Sequence, residues 1–270
     1  MDSERKQILL TNDDGIESPG LWAAAEALSS LGFVTVAAPR QQFSGAGRSH
    51  PIHSDGTISP RPLQIGHQIW TAYAVGGSPA QAVVFAVLDL LPRKPDLIVS
   101  GINYGENIGS SITSSGTVGA ALEGAAFDIP AMAVSLQITD GNYLGYSTEV
   151  TFETAAYFTQ LFARRVLEEG LPPDVHVLKI DVPAGATPQT PWRTVRQAMQ
   201  PYYVPRTTRS GSLEGPGLIG YDVVYGPGIS QPGTDAHALA VDRVVSVAPL
   251  SLDMTSRIQL EQLDSFLRNE

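Results

Sequence analysis

The chain has 270 residues, of which 43% are hydrophobic, and it contains no cysteine. This length and composition predict one large folded domain, or a core domain with an appendage. The missing cysteines exclude disulfides, thiolate metal sites and cysteine catalysis. A net charge of -10 argues against a nucleic-acid polymer as the main ligand, because binding one needs basic patches. We expect a cytoplasmic protein, since Met1–Lys6 is charged and the longest apolar stretch, Ala80–Leu91, is too short to span a bilayer.

The first two thirds of the chain alternate strand patterns with helix patterns. Short apolar runs predict strands at Gln7–Asn12, Phe33–Ala38, Thr57–Ser59, Ile69–Val75, Asp96–Ser100, Pro130–Leu136 and Val175–Val182. Capping residues and apolar periodicity predict helices at Ser18–Leu31, Ser78–Leu91, Thr117–Ala126 and Thr148–Glu169. Strands separated by helices of this length favour an α/β fold with a mainly parallel sheet that is covered on both faces.

The composition changes near Ala184, where proline and glycine become frequent. The pieces predicted beyond that point are strands of a hairpin or an extended arm at Arg193–Arg196 and Tyr221–Tyr225, a return strand at Arg243–Leu250, and a terminal amphipathic helix at Ser256–Leu267. We therefore divide the chain into a core of residues 1–183 and a C-terminal extension of residues 184–270.

Ligands of an open parallel sheet bind beyond the carboxyl ends of its strands, and three polar loops follow strands there. In the first loop, Asp13 and Asp14 offer two adjacent carboxylates, which suit a hard divalent cation. An Asx turn that caps the next helix is the alternative for these residues, and taken alone the tetrapeptide is only a weak signal for a metal. The second loop, Pro39–Ser49, offers hydroxyl and guanidinium groups for a phosphate or a metal. An ordinary surface connection is the alternative for that loop.

The third loop follows the strand that ends near Ser100. Asn103 could present an amide oxygen to a cation, and Ser115–Thr117 begins a helix whose free N–H groups favour an anion. An ordinary helix cap is the alternative for the serine and threonine. The presence of all three loops favours a site for a cation together with a phosphate.

The residues of these loops resemble the SurE survival-protein family of 5′/3′-nucleotidases. The similar segments occur in family order, at Leu9–Gly15, Ala38–Gly45, Ser100–Asn107, Ser115–Gly124, Gly233–Asp235 and Val245–Leu250. The resemblance implies a Rossmann-like three-layer core and an extended C-terminal arm, with a β-hairpin and a terminal helix, used in dimer or tetramer assembly. It also implies hydrolysis of nucleoside 5′- and 3′-monophosphates and, in some members, of short polyphosphate.

The resemblance further implies one divalent cation per subunit, Mn²⁺ or Mg²⁺, held by Asp13, Asp14, Ser44 and Asn103. Asp13 and Asp14 are the implied catalytic residues. Phosphate contacts would fall on Asn107, Ser115, Gly116 and Thr117. Two positions depart from the family pattern, because Gln81 and Ala82 stand where an acidic residue and a cysteine are usual. No general acid is evident from the sequence, and His50 and His53 are candidates only by their nearness in the chain.

Two other readings of the sequence stay open. Phosphatases that form an aspartyl-phosphate carry two aspartates one residue apart after the first strand, and Asn12 and Asp14 occupy that spacing here. A non-catalytic nucleotide- or metal-binding module would use the same ligands as an enzyme. A dinucleotide-dependent dehydrogenase is disfavoured, because no Gly-x-Gly-x-x-Gly follows the first strand.

Overall fold

A mixed sheet of nine strands runs through the computed structural model, which describes residues 5–65, 68–139, 150–224 and 230–268. The strands of the described residues are β1 (Gln7–Thr11), β2 (Phe33–Pro39), β3 (Ile58–Ile65), β4 (Gln68–Val75), β5 (Leu97–Tyr104), β6 (Ala131–Leu136), β7 (Val177–Val182), β8 (Trp192–Thr194), β9 (Tyr203–Arg209), β10 (Gly217–Val223) and β11 (Val245–Leu250). The sheet order is β3-β4-β2-β1-β5-β6-β7-β11-β8, and β9 pairs with β10 in a separate hairpin.

The predicted mainly parallel sheet is confirmed. Within it, only the β3–β4 and β7–β11 pairs are antiparallel among the described strands. The strand predicted at Thr57–Ser59 is longer than expected, because β3 continues through Pro60 and Pro62. Proline lacks the N–H that an inner strand must donate, and β3 tolerates it as an edge strand.

Helices cover both faces of the sheet, which gives the three predicted layers. The α-helices of the described residues are α1 (Pro19–Leu28), α2 (Pro79–Phe85), α3 (Gly116–Ala126), α4 (Glu153–Glu169), α5 (Asp235–Ala240) and α6 (Leu260–Arg268), of which α1 to α4 pack on the sheet. Ile8 and Leu10 of β1 belong to the core under α1 and α4, whereas Leu9 belongs to the core under α2 and α3. This alternation follows from the two-residue period of a strand and fixes which loops reach the same edge of the sheet.

The end of β5 differs from the prediction in a way that matters for the site. The strand was expected to stop at Ser100, but it continues to Tyr104 after a register shift between Ser100 and Asn103. Gly101 allows this bulge, because its φ is 136° and a Cβ there would lie 2.3 Å from the Val134 carbonyl oxygen. Asn103 is therefore held by the sheet rather than by a loop.

The C-terminal extension supplies parts of the main sheet as well as a hairpin. The predicted return strand is confirmed as β11, antiparallel to β7. The prediction of a hairpin or arm strand at Arg193–Arg196 is wrong, because β8 lies beside β11 in the main sheet and runs parallel to it. The separate hairpin is formed by β9 and β10 instead, and β10 includes Tyr221. Tyr225 and residues 148–149, the predicted start of α4, lie outside the described residues. The division of the chain at residue 184 stays a prediction.

The terminal helix is confirmed as α6, which begins at Leu260 rather than at Ser256. None of its described side chains is buried, and Leu260, Phe266 and Leu267 are each at least 60% exposed. Within the described residues, every helix is too short or too polar to cross a membrane.

Candidate active site

The three polar loops meet at one cavity of about 490 Å³ at the carboxyl edge of the sheet. This volume lies in the range of small-molecule sites. Six of the eight predicted site residues line the cavity: Asp13, Asp14, Ser44, Asn103, Asn107 and Ser115. Gly116 and Thr117 lie directly behind Asp13.

Asp13 is held by the first turn of α3. The Thr117 hydroxyl donates a hydrogen bond to its Oδ1, and the backbone amides of Gly116 and Thr117 also donate to the carboxylate. Burial raises the pKa of Asp13, and these hydrogen bonds offset the rise only in part. From the sequence, the free N–H groups at the start of α3 are predicted to favour an anion. In the structure, they donate to the carboxylate of Asp13, a group of the protein itself.

Asp14 is buried beside Asp13 and faces β5 and the second loop. Its Oδ2 accepts the Tyr104 amide at 2.8 Å, and its Oδ1 accepts the Gln42 side-chain amide at 3.3 Å. Burial, followed by the negative charge of Asp13, raises the pKa of Asp14 to about 8. Two carboxylates that are costly to ionise together favour a nearby cation.

Asn103, near the end of β5, and Ser44, on the second loop, complete the predicted ligand set. The Asn103 amide nitrogen donates to the Gly105 carbonyl at 2.5 Å, which leaves the amide oxygen as the acceptor atom of that side chain. Ser44 is exposed at the cavity wall. Its loop is tied to the first loop, since the Phe43 amide donates to the Asp13 carbonyl at 2.7 Å.

Two of the alternative interpretations, an Asx turn in the first loop and a helix cap in the third, also describe the local geometry. Asn12 forms the turn expected of an Asx residue, because its side chain both accepts from the Gly15 amide (3.1 Å) and donates to the Gly15 carbonyl (3.0 Å). Ser115 caps α3 by accepting the Val118 amide at 3.1 Å. Capping and cavity lining are compatible, since Ser115 does both. His50 is 3.3 Å from Glu123, and neither it nor His53 lines the cavity.

Sequence reasoning missed one wall of the cavity. The β9–β10 hairpin supplies it through Tyr203, Ile219, Tyr221 and Val223. The rings of Tyr203 and Tyr221 are 6.4 Å apart at 78°. Tyr203 also donates its hydroxyl to the Glu106 carbonyl at 3.2 Å. The alternation of apolar residues along β10 was a signal for this wall, but it does not reveal where the hairpin folds back.

Comparison with known proteins agrees with this geometry. The family described as "Survival protein SurE" matches residues 8–204 of the chain. The chain belongs to the SurE family. It is 40% identical to the 5′-nucleotidase SurE of Thermococcus kodakarensis over 264 residues, which span 97% of this chain and 98% of that protein. It is 41% identical to the 5′-nucleotidase SurE of Thermococcus gammatolerans over 267 residues, or 98% and 97% of the two chains.

A solved SurE structure supports the fold over the same extent. The SurE protein of Aquifex aeolicus has a TM-score of 0.76 and 31% identity, and the match covers 97% of this chain and 99% of that one. The resemblance drawn from the loop motifs and the α/β fold it implied are therefore confirmed.

The donor set of this SurE chain fits a hard divalent cation. In the described part of the chain, no group of three or more His, Cys, Asp or Glu side chains is arranged to hold a metal. A centre here would thus combine two carboxylates with an amide and a hydroxyl, all oxygen donors of the kind that Mg²⁺ and Mn²⁺ accept. The costly burial of Asp13 and Asp14 supports this fit, because a bound cation stabilises their ionised forms.

Proposed function

We propose that this SurE protein is a metal-dependent phosphomonoesterase that releases phosphate from nucleoside 5′-monophosphates. One observation carries the proposal: a single cavity is lined both by the polar side chains of Asp13, Asp14 and Asn103 and by the aromatic rings of Tyr203 and Tyr221. A nucleotide likewise combines a charged phosphate with an aromatic base. The names of the relatives as 5′-nucleotidases support the same substrate class.

Asp13, Asp14, Ser44 and Asn103 would hold the cation. When bound, a divalent cation would supply positive charge beside the phosphoryl oxygens and lower the pKa of water in the cavity. The protein's own contribution is to hold the two carboxylates rigidly: Thr117 fixes Asp13, and the Tyr104 amide fixes Asp14. Such preorganised charge is usually the largest contribution of an active site to the rate.

Asn107 and Ser115 would contact the phosphate. The side-chain amide of Asn107 donates one hydrogen to the Ser135 hydroxyl at 2.9 Å. The second hydrogen of that side-chain amide can therefore bind a phosphoryl oxygen. Gly116 and Thr117 act on Asp13 in the structure, and their direct contact with phosphate stays a prediction. The tyrosines would bind the base by stacking, which is tolerant of base identity.

The aspartyl-phosphate alternative is less well supported by the geometry. Its first aspartate would have to stand at position 12, where Asn12 is fully buried and both polar atoms of its amide are bonded to Gly15. A non-catalytic binding module would use the same cavity. Only a measurement of turnover distinguishes that hypothesis from an enzyme.

The test is phosphate release from a substrate panel by chelator-treated protein, with and without Mn²⁺ or Mg²⁺. The panel contains nucleoside 5′-monophosphates, 3′-monophosphates, short polyphosphate and ribose 5-phosphate, which has the phosphate without the base. We expect cation-dependent release that is faster for the 5′-monophosphates than for ribose 5-phosphate. If nucleotide binds but no compound releases phosphate with either cation, the protein is a binding module and the proposal fails. Phosphate release from the 3′-monophosphates and from short polyphosphate tests the two further activities that the family resemblance implies.

We also propose a homo-oligomer, dimer or tetramer, which the resemblance implies. The uncovered apolar side chains of α6 and of the β9–β10 hairpin support it, since Phe266, Leu218 and Ile219 are at least 66% exposed. Light scattering coupled to size exclusion tests this proposal, and a monomer mass at micromolar concentration contradicts it.

A further inference from the structure

Three fully buried charges lie beneath the cavity, on elements that the predicted site did not include. Lys179 and Asp181 stand two residues apart on β7, and Asp235 begins α5. The Lys179 ammonium lies 2.5 Å from Asp181 Oδ2 and 3.2 Å from Asp235 Oδ2, and all three side chains have 0% exposure. Burying an unpaired charge strongly destabilises a fold, so such a group persists only where its partners are complete.

The partners of this triad are complete. The third hydrogen of the ammonium is donated to the Asn107 carbonyl at 2.8 Å, which accounts for all three donors. Burial lowers the pKa of Lys179, but the charges of Asp181 and Asp235 and the hydrogen bonds to them together raise it by more, so the lysine is held in its charged form. Asp181 Oδ1 accepts a hydrogen bond from the backbone amide of Asn107 at 2.8 Å.

Asp235 extends the triad to two further segments. Its Oδ2 accepts the Gly109 amide at 3.2 Å, and its Oδ1 accepts the Ala198 amide at 2.8 Å. Gly109 belongs to the loop that carries Asn107, and Ala198 lies five residues before Tyr203 of the cavity wall. The triad thus joins the Asn107 loop, which lines the cavity, to the segment that leads into the hairpin.

Two contacts of the triad and one from Ser135 converge on Asn107. Its amide is bound by Asp181, its carbonyl by Lys179 and its side chain by Ser135. A buried ion pair is a poor device for stability alone, because an apolar replacement often stabilises a fold as well or better. A network that binds a single cavity-lining residue on three sides serves to define the position of that residue.

We propose that Lys179, Asp181 and Asp235 form a positioning network that holds Asn107 in place for contact with the substrate phosphate. This inference rests on the proposed function, because it assigns Asn107 to the phosphate of the nucleotide. The three charged residues touch no substrate themselves and act through the backbone of the Asn107 loop.

The test is a double-mutant cycle on kcat/KM between Asp181→Asn and Asn107→Ala. Asparagine has the shape of aspartate but a single acceptor oxygen, so it can serve the Asn107 amide or the Lys179 ammonium and not both. We expect each single variant to lose about tenfold or more in kcat/KM for a nucleoside 5′-monophosphate. If the triad acts through Asn107, the double variant loses no more than about twofold beyond Asn107→Ala. Losses that multiply overturn the proposal.

Asp96→Asn is the control for removal of a paired carboxylate away from the cavity. Asp96 also accepts one backbone amide (Gln7, 2.7 Å) and one cationic side chain (Arg93, 2.7 Å), but it precedes β5, at the opposite edge of the sheet. We expect its kcat/KM to stay within about twofold of the wild-type value. A loss equal to that of Asp181→Asn shows a general effect of losing such a carboxylate and overturns the assignment.

Hydrogen exchange of residues 105–110 gives a readout that does not depend on turnover, and unchanged protection of the core strands shows that each variant is folded. In Asp181→Asn the backbone amides of Asn107 and Gly109 should exchange faster than in the wild type, and Asp96→Asn should leave the protection of this segment unchanged. In a separate kinetic measurement, Ser135→Ala should lower kcat/KM, as Asp181→Asn does, but by a smaller factor. Unchanged protection in Asp181→Asn overturns the positioning role even in an active enzyme. Absence of phosphate release by the wild-type protein instead overturns the proposed function, so the two failures are distinguished.

Discussion

Replacing Asp14 with asparagine should stabilise the cation-free protein at neutral pH and remove its activity. Asp14 is 4% exposed and adjoins Asp13. Burial first, and the charge of Asp13 second, raise the pKa of Asp14 from an ordinary value of 3.8 to about 8. The hydrogen bonds from Tyr104 and Gln42 lower it only in part. The carboxylate that the proposed chemistry requires is therefore a cost to the fold when no cation is bound.

The size of this cost follows from proton linkage. Between pH 4 and pH 8 the unfolded chain has released the proton of Asp14 and the native state keeps it, so stability falls as the pH rises through this window. The slope is about 1.4 kcal/mol per pH unit, which accumulates to about 4 kcal/mol at pH 7. Asparagine keeps an acceptor for the Tyr104 amide, and a weakened bond to Gln42 costs about 1 kcal/mol. The net gain of about 3 kcal/mol corresponds to roughly 6–12 °C in Tm for a chain of this size.

The assay is thermal unfolding in chelator at pH 4.5, 7 and 8.5 for the wild type, Asp14→Asn and a control, Asp89→Asn, whose side chain is exposed. The advantage of Asp14→Asn should shrink to about 1 kcal/mol or less at pH 4.5. This pH is less than one unit above the ordinary pKa of 3.8, so ionisation of Asp14 then stabilises the unfolded chain by only about 1 kcal/mol. Asp89→Asn should follow the wild type throughout. A Tm of Asp14→Asn at or below the wild-type value at pH 8.5, or a difference that does not change with pH, refutes the reasoning.

Four further predictions concern the same cavity. Mn²⁺ should raise the Tm of the wild type at pH 7.5 and leave that of Asp14→Asn unchanged in the same scan; equal gains contradict the assigned ligand. Thr117→Val removes the hydroxyl that fixes Asp13 and should lower kcat about tenfold or more, whereas Thr117→Ser should stay near the wild type; steady-state rates that match in the two variants contradict this role. Gly116→Ala places a Cβ 2.7 Å from the Asp13 Cβ, so it should lower the free energy of unfolding in denaturant by about 1–3 kcal/mol. It should also weaken cation binding in a titration. An unchanged midpoint of denaturant unfolding argues against the close packing. Tyr221→Ala should raise KM for nucleoside monophosphates about tenfold, from a stacking contribution of about 1–3 kcal/mol, with KM for ribose 5-phosphate within about twofold; equal increases show that the ring does not bind the base.

Local sequence patterns predicted the core of the fold well, because they depend on neighbouring residues. Capping serines and first-turn prolines placed α1 and α2, and α3 begins within one residue of the prediction. Convergence of the three loops followed from the rule for carboxyl ends of parallel strands. That reasoning brought Asp13, Asp14 and Asn103 to one cavity, as the structure does.

The errors concern long-range pairing. A glycine after Ser100 indicated a loop, but it allows a bulge, and β5 resumes because β6 offers a partner beyond it. β8 joins β11 across about 50 residues of chain, which no local pattern encodes. Lys179 lies in a strand that was predicted, yet its burial depends on Asp235, a residue 56 positions away (235 − 179). Sequence patterns identify such groups but not the contacts that allow a charge to be buried.

The central claim is that the carboxylate and amide centre at the end of β1 and β5 hydrolyses nucleotides. Its most direct test is phosphate release from a nucleoside 5′-monophosphate in saturating Mn²⁺, compared for the wild type, Asp13→Asn and Asn103→Ala, each shown by thermal unfolding to be folded. The account predicts turnover by the wild type and a loss of about a hundredfold or more in each variant. Turnover that survives in both folded variants would contradict it and place the chemistry elsewhere in the chain.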